Sequence, residues 1–317
     1  MPSWNDLVDE LESQPDQERE DWVNARIHAA LREVSRHRGG RHILFYASAF
    51  LQKPHLTGQY LQITHEDING FMSCIYGMDW SKGLTLLLHS PGGVTNATET
   101  IVAYLSSKFR DIEVVIPTYA MSAGTMISLA ANRLIMGRQS QLGPIDPQMP
   151  MQQRFVSAQA IVDQFDRAKA DVLSNRDLAH VWAPVLQSLG PALLQEARNA
   201  LDYAERIVAE WLEKRMFADV KDSRSRKRKA TRTARYFNDA TIHKSHGRRI
   251  DREEAREQGV IVEDLERDQA LQEAVLTAYH VQTIIFEKTP VAKILLSDHG
   301  RQWMKNWTAA PESGSRT

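Results

Sequence analysis

Four short apolar runs, at residues 43–46, 84–88, 114–116 and 134–136, constrain the fold of this chain more than any other feature. Each is bounded by glycine, proline or charge, and each is too short for a helix. Runs of this kind suit strands buried on both faces. A helical stretch at 96–109 separates the second and third runs, and another follows Ser122. Strands alternating with helices imply right-handed crossovers and a mainly parallel sheet. The expected class is therefore α/β, a mainly parallel sheet with flanking helices.

The remainder reads as additions to that core. Residues 1–40 place Trp4, Leu7, Leu11, Trp22, Val23, Ile27 and Leu31 at spacings near three and four, the pattern of an amphipathic helical arm. The core spans 41–262 and includes a helical insertion of about sixty residues from Ala158, with Pro184 and Gly190-Pro191 as breaks. Residues 263–307 read as a C-terminal helical segment interrupted at Pro290. The composition of 308–317 reads as a disordered tail. We find no internal repeat.

Charge and cysteine content narrow the function. With 39 basic and 40 acidic residues the net charge is −1, so no global field draws the chain to nucleic acid or membrane. The one basic run, residues 221–235, contains no aromatic residue for base stacking and reads as a solvated face. Cys74 is the single cysteine, which excludes an intrachain disulfide framework and a multi-cysteine zinc site and fits a reducing compartment. The acidic start, with Asp6, Asp9, Glu10 and Glu12, lacks the pattern of a signal peptide, so the expected location is cytoplasmic. The uncharged stretch 114–132 is long enough to span a membrane, but Pro117, Ser122 and Gly124 inside it point to strand, turn and helix instead.

Two segments could do chemistry. Leu88-His89-Ser90-Pro91-Gly92-Gly93 ends a strand in paired glycines, which let backbone N–H groups approach a substrate closely; a plain strand-to-helix turn would look the same. In Ala120-Met121-Ser122-Ala123-Gly124, Ser122 would sit at a helix N-terminus, where the next N–H can donate to an oxyanion. It could equally be an N-cap.

Together, a Ser-Pro-Gly-Gly turn followed thirty residues on by Ala-Met-Ser-Ala-Gly resembles the Clp protease pattern. Ser140-Gln141-Leu142-Gly143-Pro144-Ile145-Asp146-Pro147-Gln148 narrows the resemblance to the serine dehydrogenase proteinase family, a Clp/crotonase-type branch near signal peptide peptidase A. Further matches are Ile68-Asn69-Gly70-Phe71-Met72, Asp163-Gln164-Phe165 with Lys169, and Ser245-His246-Gly247-Arg248-Arg249-Ile250, so the likeness spans about residues 41–300. It implies a serine peptidase in which Ser122 attacks the peptide carbonyl, while Gly92 or Gly93 and Ala123 supply the oxyanion-hole N–H groups.

The base is left open between two readings. The segment where Clp proteases carry histidine offers Asp146, which reads as holding a loop. Signal peptide peptidase A uses a lysine forty to fifty residues after its serine, and Lys169 lies 47 residues after Ser122. A lysine works as base only when burial or nearby positive charge lowers its pKa. His246 is the alternative, with His243 behind it. The resemblance also implies a protein or peptide substrate and a homo-oligomer. No dinucleotide fingerprint or pyridoxal phosphate site is apparent, so no cofactor or metal is expected. The competing functions are a catalytically silent Clp-fold scaffold that binds a partner and, more remotely, a crotonase-type enzyme acting on acyl-coenzyme A.

Overall fold

The computed structural model describes residues 3–151, 154–190 and 192–307; the expected disordered tail at 308–317 and Pro191 lie outside them. The four apolar runs form neighbouring parallel strands: β1 (His42–Ser48), β2 (Leu84–His89), β3 (Ile112–Ile116) and, after the two-residue β4 (Tyr119–Ala120), β5 (Arg133–Met136). Short strands β6 (Gln141–Leu142), β7 (Gln148–Met151) and β8 (Arg154–Ser157) follow, and β9 (Val262–Asp264), β10 (Val291–Ser297) and β11 (Gln302–Asn306) complete the set. The main sheet has seven strands in the order β11-β10-β1-β2-β3-β5-β9. Its β1 to β9 portion is parallel; β10 runs antiparallel to β1, and β11 antiparallel to β10.

Every residue of β1, β2 and β3 is buried. Side chains alternate between two cores: Leu44, Tyr46, Leu86, Leu88 and Val114 on one face, Ile43, Phe45, Leu87 and Val115 on the other. Helices α1 (Trp4–Glu12) and α2 (Arg19–His37) cover the second face. The N-terminal segment is thus helical, as its spacing predicts, but it is packed rather than projecting: Leu7, Leu11, Ile27, Leu31 and Val34 are buried. Just past its end, Arg38 reaches Glu113, buried near the start of β3, with nitrogen–oxygen distances of 2.8 and 2.7 Å.

Between the strands run α3 (Gly58–Leu61), α4 (Asp67–Ile75), α5 (Thr95–Lys108) and α6 (Ala123–Leu129). The insertion then supplies α7 (Ala158–Ser174), α8 (Ala179–Gln187) and α9 (Leu193–Lys214), followed by α10 (Ser223–Asn238), α11 (Ala240–His243) and α12 (Arg252–Glu257). Pro184 lies inside α8 instead of breaking it; one break falls at Asn175, whose side chain accepts from the Asp177 N–H, and another at Gly190, at φ +79° between α8 and α9. Most of the basic run lies on α10, which packs on α9, buries Ala230, Thr233, Ala234 and Phe237 and turns most of its cations outward.

The C-terminal segment corrects the sequence reading. It begins with α13 (Gln269–Lys288), which packs on α2, but after Pro290 it forms β10 and β11 and so completes the sheet. The strand was concealed by Lys293, a lone charge within Val291-Ala292-Lys293-Ile294-Leu295-Leu296 that interrupts an otherwise apolar buried run. Its ammonium is neutralised inside the protein by Asp67, at 2.6 Å, with both side chains fully buried.

Candidate active site

Past the end of β2 the chain changes neighbours. Ser90 bridges to Ala120 of β4, β4 pairs in parallel with β6, and Leu142 of β6 bridges antiparallel to Ile250. This narrow second sheet aligns three chemistry-bearing segments at one end, because Ser122, Asp146 and His246 lie two to four residues beyond these paired positions.

Ser122 has φ +50° and ψ −115°, a region a non-glycine residue occupies only at a cost on the order of 1–3 kcal/mol. The surroundings hold it there. Gly124 N–H donates to Met121 O at 2.7 Å and Met126 N–H to Ser122 O at 3.0 Å. Thr125 Oγ1 donates to Ala120 O at 2.7 Å and accepts from Gly143 N–H at 2.9 Å, bracing the turn against the next loop. The Ser122 side chain makes no capping hydrogen bond to α6, and the residue is half-buried.

Gly92, at φ +106°, packs directly on the serine: a Cβ there would lie 2.6 Å from Ser122 Cβ and 3.1 Å from Ala123 N. Its N–H donates to Ser90 Oγ at 3.1 Å. Gly93 lies against residue 63 so closely that a Cβ would fall 2.3 Å from Ile63 O. Ile63 N–H donates to Gly92 O, and Val94 N–H to Ile63 O, at 2.8 and 2.9 Å.

The sequence reading missed what anchors Ile63. Lys293 Nζ donates to Gln62 O at 2.9 Å and to Asp67 Oδ1 at 2.6 Å. Asp67 Oδ2 accepts from Tyr46 OH and Thr64 N–H, both at 2.9 Å. Burial pushes the lysine down from its ordinary value while Asp67 opposes the shift. Segment 62–64 is thereby clamped beside the glycine turn. Hydrophobic periodicity carries no signal for such a cluster, because Lys293 lies more than 200 residues from its partners.

The candidate bases differ sharply. Lys169 is exposed on α7, beside Phe165, Leu173, Leu186, Leu194 and Arg198, none of which belongs to the Ser122 turn. His243 is buried, with Nε2 bonded to Tyr236 O at 2.7 Å and Nδ1 facing Arg248 Nη1 at 3.0 Å, so both ring nitrogens are engaged. Burial pushes it below the ordinary histidine value. His246 is half-buried, and its Nδ1 lies 2.7 Å from Oδ1 of the buried Asp146. Gln148 Nε2 donates to the other Asp146 oxygen at 2.7 Å. The expected loop role of Asp146 is therefore joined by a direct contact with an imidazole.

Among the described residues no helix is long and apolar enough to cross a membrane. The profile of the ClpP-like SDH-type serine proteinases matches residues 8–186, more than half of the chain. Two uncharacterized proteins of Methanocaldococcus jannaschii are similar over shorter stretches. MJ0137 is 34% identical over 119 residues, 38% of this chain and 40% of its own length. MJ1495 is 37% identical over 123 residues, 38% of this chain and 41% of its own. The chain thus spans about two fifths of the length of these relatives. With a mainly parallel sheet, a strained serine and a glycine turn packed upon it, the chain belongs to the family of ClpP-like SDH-type serine proteinases.

Proposed function

We propose that this protein is a serine peptidase in which Ser122 is the nucleophile and His246, oriented by Asp146, is the general base. The observation that carries this reading is the 2.7 Å contact between His246 Nδ1 and a buried carboxylate, on segments that flank the Ser122 turn. A carboxylate at Nδ1 fixes the tautomer that carries its proton there and leaves Nε2 free to accept one. His246 Nε2 takes the Ser122 proton as Oγ attacks the peptide carbonyl, then returns it to the departing amine. Water hydrolyses the resulting acyl-enzyme with the same base. Ala123 N–H and Gly93 N–H are assigned to the oxyanion, since Gly92 N–H is turned to Ser90 Oγ. Gly92 supplies the close approach.

Lys169 is exposed on α7 among side chains that do not belong to the Ser122 turn, so its surroundings do not support the Ser-Lys alternative. The exposed Phe155, Leu173 and Val181 around α7 and α8 support self-association. Reaction with a fluorophosphonate, with the adduct mapped by mass spectrometry, tests the assignment. Ser122 should be labelled, labelling should vanish in Ser122→Ala and collapse in His246→Ala, and it should persist in Lys169→Ala. Loss in Lys169→Ala with retention in His246→Ala would restore the lysine. An unlabelled wild type would favour the partner-binding scaffold.

A further inference from the structure

At the opposite end of the sheet a second group of side chains converges. His42 opens β1, and the turn after β10 folds Asp298 and His299 over it, with Gly300 at φ +81° completing the reversal. His42 Nδ1 and His299 Nε2 face each other at 2.9 Å, and Asp298 Oδ2 lies 3.8 Å from that His299 nitrogen. One ligand atom from each of the three residues lies within 4.8 Å of the other two. Backbone pairing holds the turn in place: Ile43 N–H donates to Asp298 Oδ1 at 3.1 Å, and Asp298 N–H to Ile43 O at 3.2 Å. One Asp298 oxygen is thus committed to the backbone, and the other points to the histidines.

The tautomer of His42 follows from its second contact. Its Nε2 lies 2.9 Å from Asp79 O, and a carbonyl only accepts, so Nε2 carries the proton. The neutral ring then presents a bare lone pair at Nδ1. A ring nitrogen anchored to a carbonyl while the other faces further donor atoms, here His299 Nε2, is the usual setting of a metal-ligating histidine. Zinc bonds of about 2.0–2.2 Å in a tetrahedron separate donor atoms by roughly 3.3–3.6 Å. The distances of 2.9 and 3.8 Å bracket that value. Small motions would reconcile them, and the His299 side chain, 54% exposed, has room to make them.

We propose that His42, Asp298 and His299 bind one divalent transition-metal ion of the zinc class, with a solvent molecule as fourth ligand. Two imidazoles and a carboxylate are a donor set this class accepts. The ion would clip the β10–β11 hairpin to the first residue of β1. Because β1 and β3 lie in the same parallel portion of the sheet, this site is at the end opposite Ser122, and it does not depend on the peptidase assignment.

The test is calorimetric titration of the chelator-treated full-length protein with zinc, alongside the visible absorption of its cobalt(II) form. One equivalent should bind, giving a four-coordinate cobalt spectrum and a raised melting temperature. His299→Ala, at an exposed turn, should weaken binding at least about 100-fold and remove the thermal response, since altering even an outer partner of a ligand commonly costs 10–100-fold. His180→Ala, on the exposed surface of α8, should bind as wild type does. Failure of the wild type to bind zinc, or equal binding by His299→Ala, would reduce the contact to a hydrogen bond between two imidazoles and overturn the proposal.

Discussion

The turn that carries Ser122 and the helical excursion that begins at Ala158 are held by different physics. In the turn, every residue of α6 is buried, and Gly92, Thr125 and Gly143 lock a backbone conformation that Ser122 would not adopt freely. In the excursion, α8 buries no residue, and α7 buries only Ala158, Ile161 and Ala168. One region spends its packing on a strained geometry; the other leaves apolar side chains in solvent. Two lysines show the consequence. Lys293, enclosed by the core, is desolvated but bound to Asp67, whereas Lys169 on the excursion is solvated. Enclosure, not spacing along the chain, decides what a lysine can do.

The largest effect that would break this contrast is expected from His246→Ala. It should lower kcat by about 10⁴–10⁶, the loss that follows removal of a single triad member. Lys169→Ala should change it less than about twofold, because a solvated side chain distant from the reacting atoms stabilises no developing charge. Steady-state hydrolysis of a fluorogenic peptide separates the two; the reverse pattern would show that the excursion supplies the base.

Gly92→Ala probes the rigidity of the turn. Its Cβ would lie 2.6 Å from Ser122 Cβ at a φ of +106°, so either the serine or the glycine turn must move. Phosphonate labelling should fall about 10²–10³-fold, comparable to losing an oxyanion donor. Leu173→Ser should leave labelling per subunit intact and shift the mass measured by light scattering towards the monomer.

Stability should separate the two lysines next. Lys293→Met strands a buried carboxylate and should cost about 3–5 kcal/mol in urea unfolding, while the double variant with Asp67→Leu should recover much of that loss. Lys169→Met should stay within about 0.5 kcal/mol of wild type.

A further test is the pH dependence of the region behind the glycine turn. Burial among Phe50, Tyr119 and Tyr279 pushes His89 down to about 3. In the unfolded chain it titrates near about 6.5, so between these values the unfolded state binds more protons. Its contribution to stability is therefore complete above about pH 6.5 and is lost as pH falls towards 3, with a slope of up to about 1.4 kcal/mol per pH unit. Unfolding series at pH 7, 6 and 5 should show a shallower acid loss in His89→Gln. An unchanged slope would place the acid sensitivity elsewhere.

Much of the sheet was legible because β1, β2, β3 and β5 are short apolar runs interrupted by helices. Pro184 was misleading because α8 accommodates it, and β10 was hidden because a charge inside a strand looks like an interruption until its partner is known. The motifs around Gly92 and Ser122 were visible because glycine and serine occur there in an ordered combination. The link between Asp146 and His246 was not, since it depends on Leu142 pairing with Ile250 across more than a hundred residues.

The sequence by itself determined the α/β class, the positions of its central parallel strands and the two turns that carry Gly92 and Ser122, because burial on both faces and glycine-dependent turns are local demands written in local composition. Only the tertiary structure decided which histidine meets a carboxylate, which lysine is enclosed, and that the last strands close one side of the sheet. Those outcomes rest on desolvation and on charge pairs whose members are far apart in the chain, and neither quantity exists until the chain has folded.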